Sequence, residues 1–211
     1  MTRLLIVNPN TNEAVTRWLA EEARRVAPRD IDIVAVNAES GLTALQTPED
    51  VETAGRAVVR VIETHAKAGD LAGAVIAAFG DPGLAAARSL ALTPTIGFGE
   101  TGLRTAALGG RSFSIVTLGA AMRDSILAKT TALGFGAELT EVYVLPFSIP
   151  EMIADREAAR TQIVATVRRS SSAVVLLGGA PFAGMARGIA RETGKIVLDG
   201  VEACIQMFTT R

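Results

Sequence analysis

Short apolar runs alternate with longer alanine-rich runs along the whole chain, and that alternation narrows the fold more than any other feature. The apolar runs cover residues 4–7, 31–36, 74–77, 113–117, 142–145, 173–177 and 196–198, and most are continuously hydrophobic, broken only by Asp32 and by Ser114 and Thr117. Continuous apolar strands belong to sheets covered on both faces, which are mostly parallel. The runs between them, 14–26, 48–68, 84–90, 101–108, 122–133, 151–169 and 182–193, carry helical patterning. The expected class is therefore α/β with mostly parallel strands. In such sheets a ligand sits beyond the carboxyl ends of the strands, so the loops that follow strands carry the functional information.

A faint internal repeat divides the chain. "AVIAAFGDPGLAAAR" at 74–88 resembles "AVVLLGGAPFAGMAR" at 173–187, with Pro82 matched to Pro181 and Arg88 to Arg187. "TPTIGFGETG" loosely parallels "GKIVLDGVEA", and "LLIVNPNTN" and "FSIVTLGAA" open the two parts. The expectation is two pseudo-symmetric parallel-sheet halves with a site between them. Residues 1–98 would form the first half and 99–202 the second, with 203–211 packing back on the first.

Composition excludes several functions. The 211 residues are 49% hydrophobic and 20% charged, with a net charge of -1, so there is no basic field for nucleic acid. No apolar run reaches membrane-spanning length, and the apolar stretch near the start is too short for a signal peptide. A single Cys204 and a single His65 leave no cysteine-rich or histidine-based metal site and no Ser-His triad. Neither a metal nor another cofactor is expected. The expected partner is a small molecule, and the expected protein is a cytoplasmic homo-oligomer.

The loops differ in what they offer. In "NPNTNE", Asn10 can cap the next helix with Glu13 in a capping-box position. That leaves Asn8 and Thr11 open as ligand contacts. In "FGDPG", Asp81 reads first as an N-cap with Pro82 at the first helical position, and second as a base. Phe79 and Gly80 precede it and, like Asn10, are expected substrate contacts. A helix N-terminus there, and another after "GGAPF" (Gly178, Gly179, Ala180, Pro181, Phe182), would suit a carboxylate or imide oxygen. "GFGETG" matches the G-x-G-x-x-G string, but only Thr95 and Ile96 precede it as strand and no acid closes the next strand, so it is read against a dinucleotide site. Thr117 ends a strand, Gly119 lets backbone approach a ligand, and Ser40, Gly41 and Thr43 make a polar, lid-like loop. Cys204 sits among apolar residues and reads as a buried, inert thiol.

Taken together, "NPNTN", "FGDPGL", "FSIVT", "GMA" and "LDGV" resemble, in order and over nearly the whole chain, the hydantoin racemase branch of the aspartate/glutamate racemase superfamily. The resemblance implies two α/β halves with the active site between them and cofactor-free chemistry. It also implies two cysteines, one per half, moving a proton on opposite faces of an acidic C–H. This chain has Ala78 at the first of those positions and Gly179 nearest the second. The two-thiol mechanism therefore cannot operate. Three functions stay open: a cofactor-independent racemase or isomerase of a hydantoin-like or amino-acid-derived carbon acid, with Asp81 and Thr117 as proton carrier and enolate stabiliser; a decarboxylase or other lyase; and a non-catalytic small-molecule binder.

Overall fold

The computed structural model describes residues 2–38, 41–45, 47–69 and 71–210. In the first half, β1 (Thr2–Asn8), β2 (Ile31–Asn37), β3 (Leu71–Ile76) and β4 (Thr95–Gly97) form a parallel sheet in the order β2-β1-β3-β4. In the second, β5 (Phe113–Leu118), β6 (Leu139–Leu145), β7 (Val174–Leu177) and β8 (Ile196–Asp199) repeat that order as β6-β5-β7-β8. The fold is thus α/β with two like-ordered four-stranded parallel sheets. The helices are α1 (Glu13–Val26), α2 (Pro48–Lys67), α3 (Leu84–Ser89), α4 (Phe98–Ala106), α5 (Ala121–Ala132), α6 (Ile149–Ala154), α7 (Arg156–Arg169), α8 (Ala186–Thr193) and α9 (Gly200–Thr209). Among the described residues no helix is long and apolar enough to cross a membrane.

Hydrophobic burial divides by sheet face. The outer face of the first sheet packs Leu5, Val7 and Ile76 against Val58 and Ile62 of α2. The outer face of the second packs Val116, Val175 and Leu177 against Ile163 and Val167 of α7. The inner faces share one core that joins Leu4 and Ile6 to Phe98, Leu103, Ile115, Leu176 and Ile205. Helices α4 and α9 fill this core: α4 leaves β4 to pack on β7 and β8, and α9 packs on α1 and α4.

The strand register, more than the matched Pro and Arg, relates the halves. Val7 pairs with Ile76 and Val116 with Leu177 as the last ladder residues. The next N–H in each half then donates to the central strand, Ala77 to Val7 O at 2.9 Å and Gly178 to Val116 O at 2.8 Å. Ala78 and Gly179 therefore occupy equivalent places. Pro82 and Pro181 do not, because the loop after β3 carries two more residues before its proline. Arg88 bonds Thr95 O and Glu100, whereas Arg187 is exposed.

Several local expectations are corrected. The N-cap of α1 is Asn12, whose side chain accepts from Val15 N at 3.1 Å, and not Asn10. The expected helix 151–169 breaks at Asp155, whose carboxylate accepts from Ala158 N and so caps α7. The helix expected from Phe182 starts at Ala186, after a 3-10 turn over Ala180–Phe182. The "GFGETG" string is not a loop: Gly97 ends β4 and the rest lies in α4. Its glycines serve close packing, since a Cβ on Gly99 would lie 2.0 Å from Phe79 O and one on Gly97 would lie 2.6 Å from the Asp81 carboxyl.

Candidate active site

The chain order puts a switch point in each sheet. From β1 the chain pairs first with β2 on one side and then with β3 on the other, and β5 does the same with β6 and β7. Loops diverge at such a point and leave a crevice beyond the strand ends. Here the crevices of both halves open into one cleft. Its wall includes Asn10 after β1, Ala78, Phe79 and Gly80 after β3, Thr117 and Leu118 at the end of β5, and Gly178 to Phe182 after β7. The space open to the centres of water-sized molecules is about 80 Å³.

The sequence-level candidates separate on this geometry. Asn10, Ala78, Phe79, Gly80, Thr117, Gly178, Gly179, Ala180 and Pro181 line the cleft. Asn8 is fully buried behind it, where its amide donates to Thr16 Oγ1 at 2.9 Å and to Asn10 Oδ1 at 3.0 Å. Asn8 therefore holds the loop that presents Asn10. Thr11 ties that loop to the next one, its N–H donating to Leu42 O at 3.1 Å. Gly119 lines an adjoining cavity with Leu45, Ser148 and Ile149. In the lid-like loop Gly41 and Thr43 are exposed, and Ser40 lies outside the described residues.

Asp81 is not part of the cleft wall, and it does not cap α3, whose N-cap is Gly83. Its backbone takes a φ of 51° and its carboxylate reaches across to the start of α4. There Oδ1 accepts from Gly99 N and Oδ2 from Glu100 N, both at 2.7 Å, and Lys129 Nζ donates to Oδ2 at 2.6 Å. Burial raises the carboxyl above its ordinary range, while Lys129 and the two N–H groups pull the other way. Both oxygens are thus occupied by donors, and the carboxylate lies outside the cleft wall. Lys129, on α5, had no local sequence signal, because its partner lies on a loop far away in the chain.

Among the described residues the wall is apolar apart from two polar side chains. Thr117 Oγ1 donates to Gly178 O at 3.3 Å and so joins β5 to the loop after β7. Asn10 Oδ1 accepts from Asn8 and Asn12, and its Nδ2 has no partner among the described residues. The N–H groups of Ala78, Phe79, Gly80 and Gly179 also lack a protein acceptor there. No lining residue among those described carries an acid, a base or a thiol. Val15, Leu45, Val51, Met122 and Ile149 complete the wall, from elements that read in the sequence only as core-facing helix or loop. Cys204 stands apart from the cleft, fully buried in α9, and burial pushes its thiol up.

Known proteins agree with this architecture. A hydantoin racemase from Pseudomonas sp. (strain NS671) is 27% identical over 99% of this chain and 85% of its own. An allantoin racemase from Klebsiella pneumoniae superposes with a TM-score of 0.91 at 29% identity, covering 100% of this chain and 87% of its own. A maleate isomerase from Pseudomonas putida S16 shares the fold at 12% identity, with a TM-score of 0.71 over 99% of this chain and 92% of its own. The family model described as Asp/Glu/Hydantoin racemase matches residues 4–208, and this chain belongs to that family.

Proposed function

We propose that the cleft binds a small hydantoin-like or carboxylate carbon acid and lacks the side chains for two-base racemisation. The observation that carries this reading is the pair Ala78 and Gly179. They stand at equivalent places in the two halves, both on the cleft wall, and neither can carry a proton. A ligand's imide or carboxylate oxygen finds donors in the Asn10 amide and in the loop N–H groups, and Thr117 ties the end of β5 to the loop after β7. Its apolar body meets Val51, Met122 and Phe182. Family membership favours proton transfer at carbon as the second reading, and one experiment separates the two.

Cysteine can be introduced at both places. Ala78 already carries a Cβ. A Cβ on Gly179 would come no closer than 3.5 Å to the Phe182 ring, an ordinary contact, whereas one on Gly178 would lie 2.7 Å from Ile115. Calorimetry should show that the wild type binds 5-benzylhydantoin, and proton NMR in D2O should show C5–H exchange at the buffer rate. Ala78→Cys should speed exchange with configuration retained, because only one face gains a base. The double variant with Gly179→Cys should racemise both enantiomers. Absence of binding, or racemisation by the wild type, would overturn the proposal.

A further inference from the structure

We propose that Lys129 makes the cleft selective for a ligand that carries an anionic substituent, such as a carboxylate, reaching from the cleft into a side cavity. The inference rests on the cleft being a ligand site. The side cavity offers about 220 Å³ and is lined by Lys129 and Ser125 of α5 together with Val51, Phe79, Gly80 and Met122. The last four also line the cleft, so the two spaces are continuous. Lys129 is the one charged residue on either wall among those described.

The ammonium is held in place with donors to spare. Its side chain is 22% exposed, and it meets the Asp81 carboxylate, whose own exposure is 3%. That carboxylate also accepts from two N–H groups at the N-terminus of α4, where the helix dipole already favours a negative charge. Asp81 thus has compensation besides Lys129, and its contact fixes the ammonium without using it up. An ammonium has three N–H donors, and this one gives a single bond among the described residues. A neutral substituent leaves the other two to water. A carboxylate accepts them as charge-assisted bonds in a part-buried, low-dielectric pocket, where such bonds are strongest. The wall facing Lys129 is apolar, and among the described residues no carboxylate lines the cavity to reward a cationic substituent.

Calorimetry with hydantoin-5-acetic acid, its amide and 5-ethylhydantoin tests this. The wild type should bind the acid about tenfold more tightly than the amide, a ratio that shrinks with added salt. Lys129→Met should abolish the preference and leave the neutral ligands bound. Because that change strands Asp81 and can cost the fold, Ser125→Glu provides a second variant. Ser125 is exposed and makes no bond to the Asp81–Lys129 pair, and a carboxylate there should cancel the preference for the acid alone. Neutral ligands binding with no preference for the acid in the wild type, or a preference that survives both changes, would overturn this inference and leave the cleft reading intact. Absence of binding by all three would remove both.

Discussion

Each half buries one aspartate where a loop meets the helix that fills the shared core, and the two are held differently. Asp81 sits in the loop after β3 and reaches to the first N–H groups of α4, with Lys129 completing its shell. Asp199 ends β8 and caps α9 through Val201 N at 2.8 Å, while its other oxygen accepts from Gly184 N, also at 2.8 Å, in the loop after β7. Both carboxylates join a loop that helps wall the cleft to an inner helix. Among the described residues only the first is in an ion pair, whereas Arg156 and Arg25 act on the second without direct contact. For Asp199, burial comes first and the carboxylates of Glu22 and Glu202 add to it, so its pKa is pushed up to about 7 despite the two N–H bonds. One architecture therefore contains one charge-compensated joint and one that titrates near neutrality.

The contrast is most exposed by removing the compensated carboxylate. Asp81→Ala strands a part-buried ammonium and two N–H groups, and should cost about 3–5 kcal/mol in urea unfolding. Adding Lys129→Met should recover part of that loss. If the double variant were no more stable than Asp81→Ala, the cation would not be what distinguishes the first joint.

A smaller effect separates the joints by pH. The folded chain holds the Asp199 proton more tightly than the unfolded chain, whose ordinary value is near 3.8. Its contribution to stability is thus fully present below about pH 4 and is lost as the pH rises towards 7. The slope approaches about 1.4 kcal/mol per pH unit within that window. Asp199→Asn, compared with the wild type from pH 4.5 to 8, should flatten this decline by roughly 3 kcal/mol. Parallel curves would show that Asp199 is as well compensated as Asp81.

The smallest effect belongs to Cys204, which lies between the two joints with its thiol 4.0 Å from Gly97 O. Cys204→Ala should cost roughly 1 kcal/mol, and cleft binding should be unchanged. A loss of binding with an intact fold would give the thiol a role the geometry does not.

Alternation of continuous apolar runs made the parallel class legible, because strands covered on both faces have no polar side to show. The loops that meet at the cleft followed from strand polarity. What stayed hidden was non-local. Asp81 looked like a cap for its own helix because N-cap chemistry is read from neighbours, whereas its partners come from α4 and α5. The "GFGETG" glycines mimicked a nucleotide loop, and tertiary crowding by Phe79, Asp81 and Leu176 explains them. Asn10 and Asn12 are both good caps, and the choice between them was made by Asn8, which draws Asn10 into the loop. Matched Pro and Arg suggested the repeat although neither pair plays a common part; topology and register carry it instead.

The central proposal is that the cleft holds a carbon acid and that its described residues include no proton carrier. Solvent-deuterium exchange at C5 of each enantiomer of 5-benzylhydantoin, followed by proton NMR with saturating wild-type protein, tests it directly. The account predicts a bound ligand whose C5–H exchanges no faster than in buffer and whose configuration is kept. Rapid exchange with racemisation of both enantiomers would contradict it, since a proton would then be moving on both faces of a site whose described residues include no side chain to carry it.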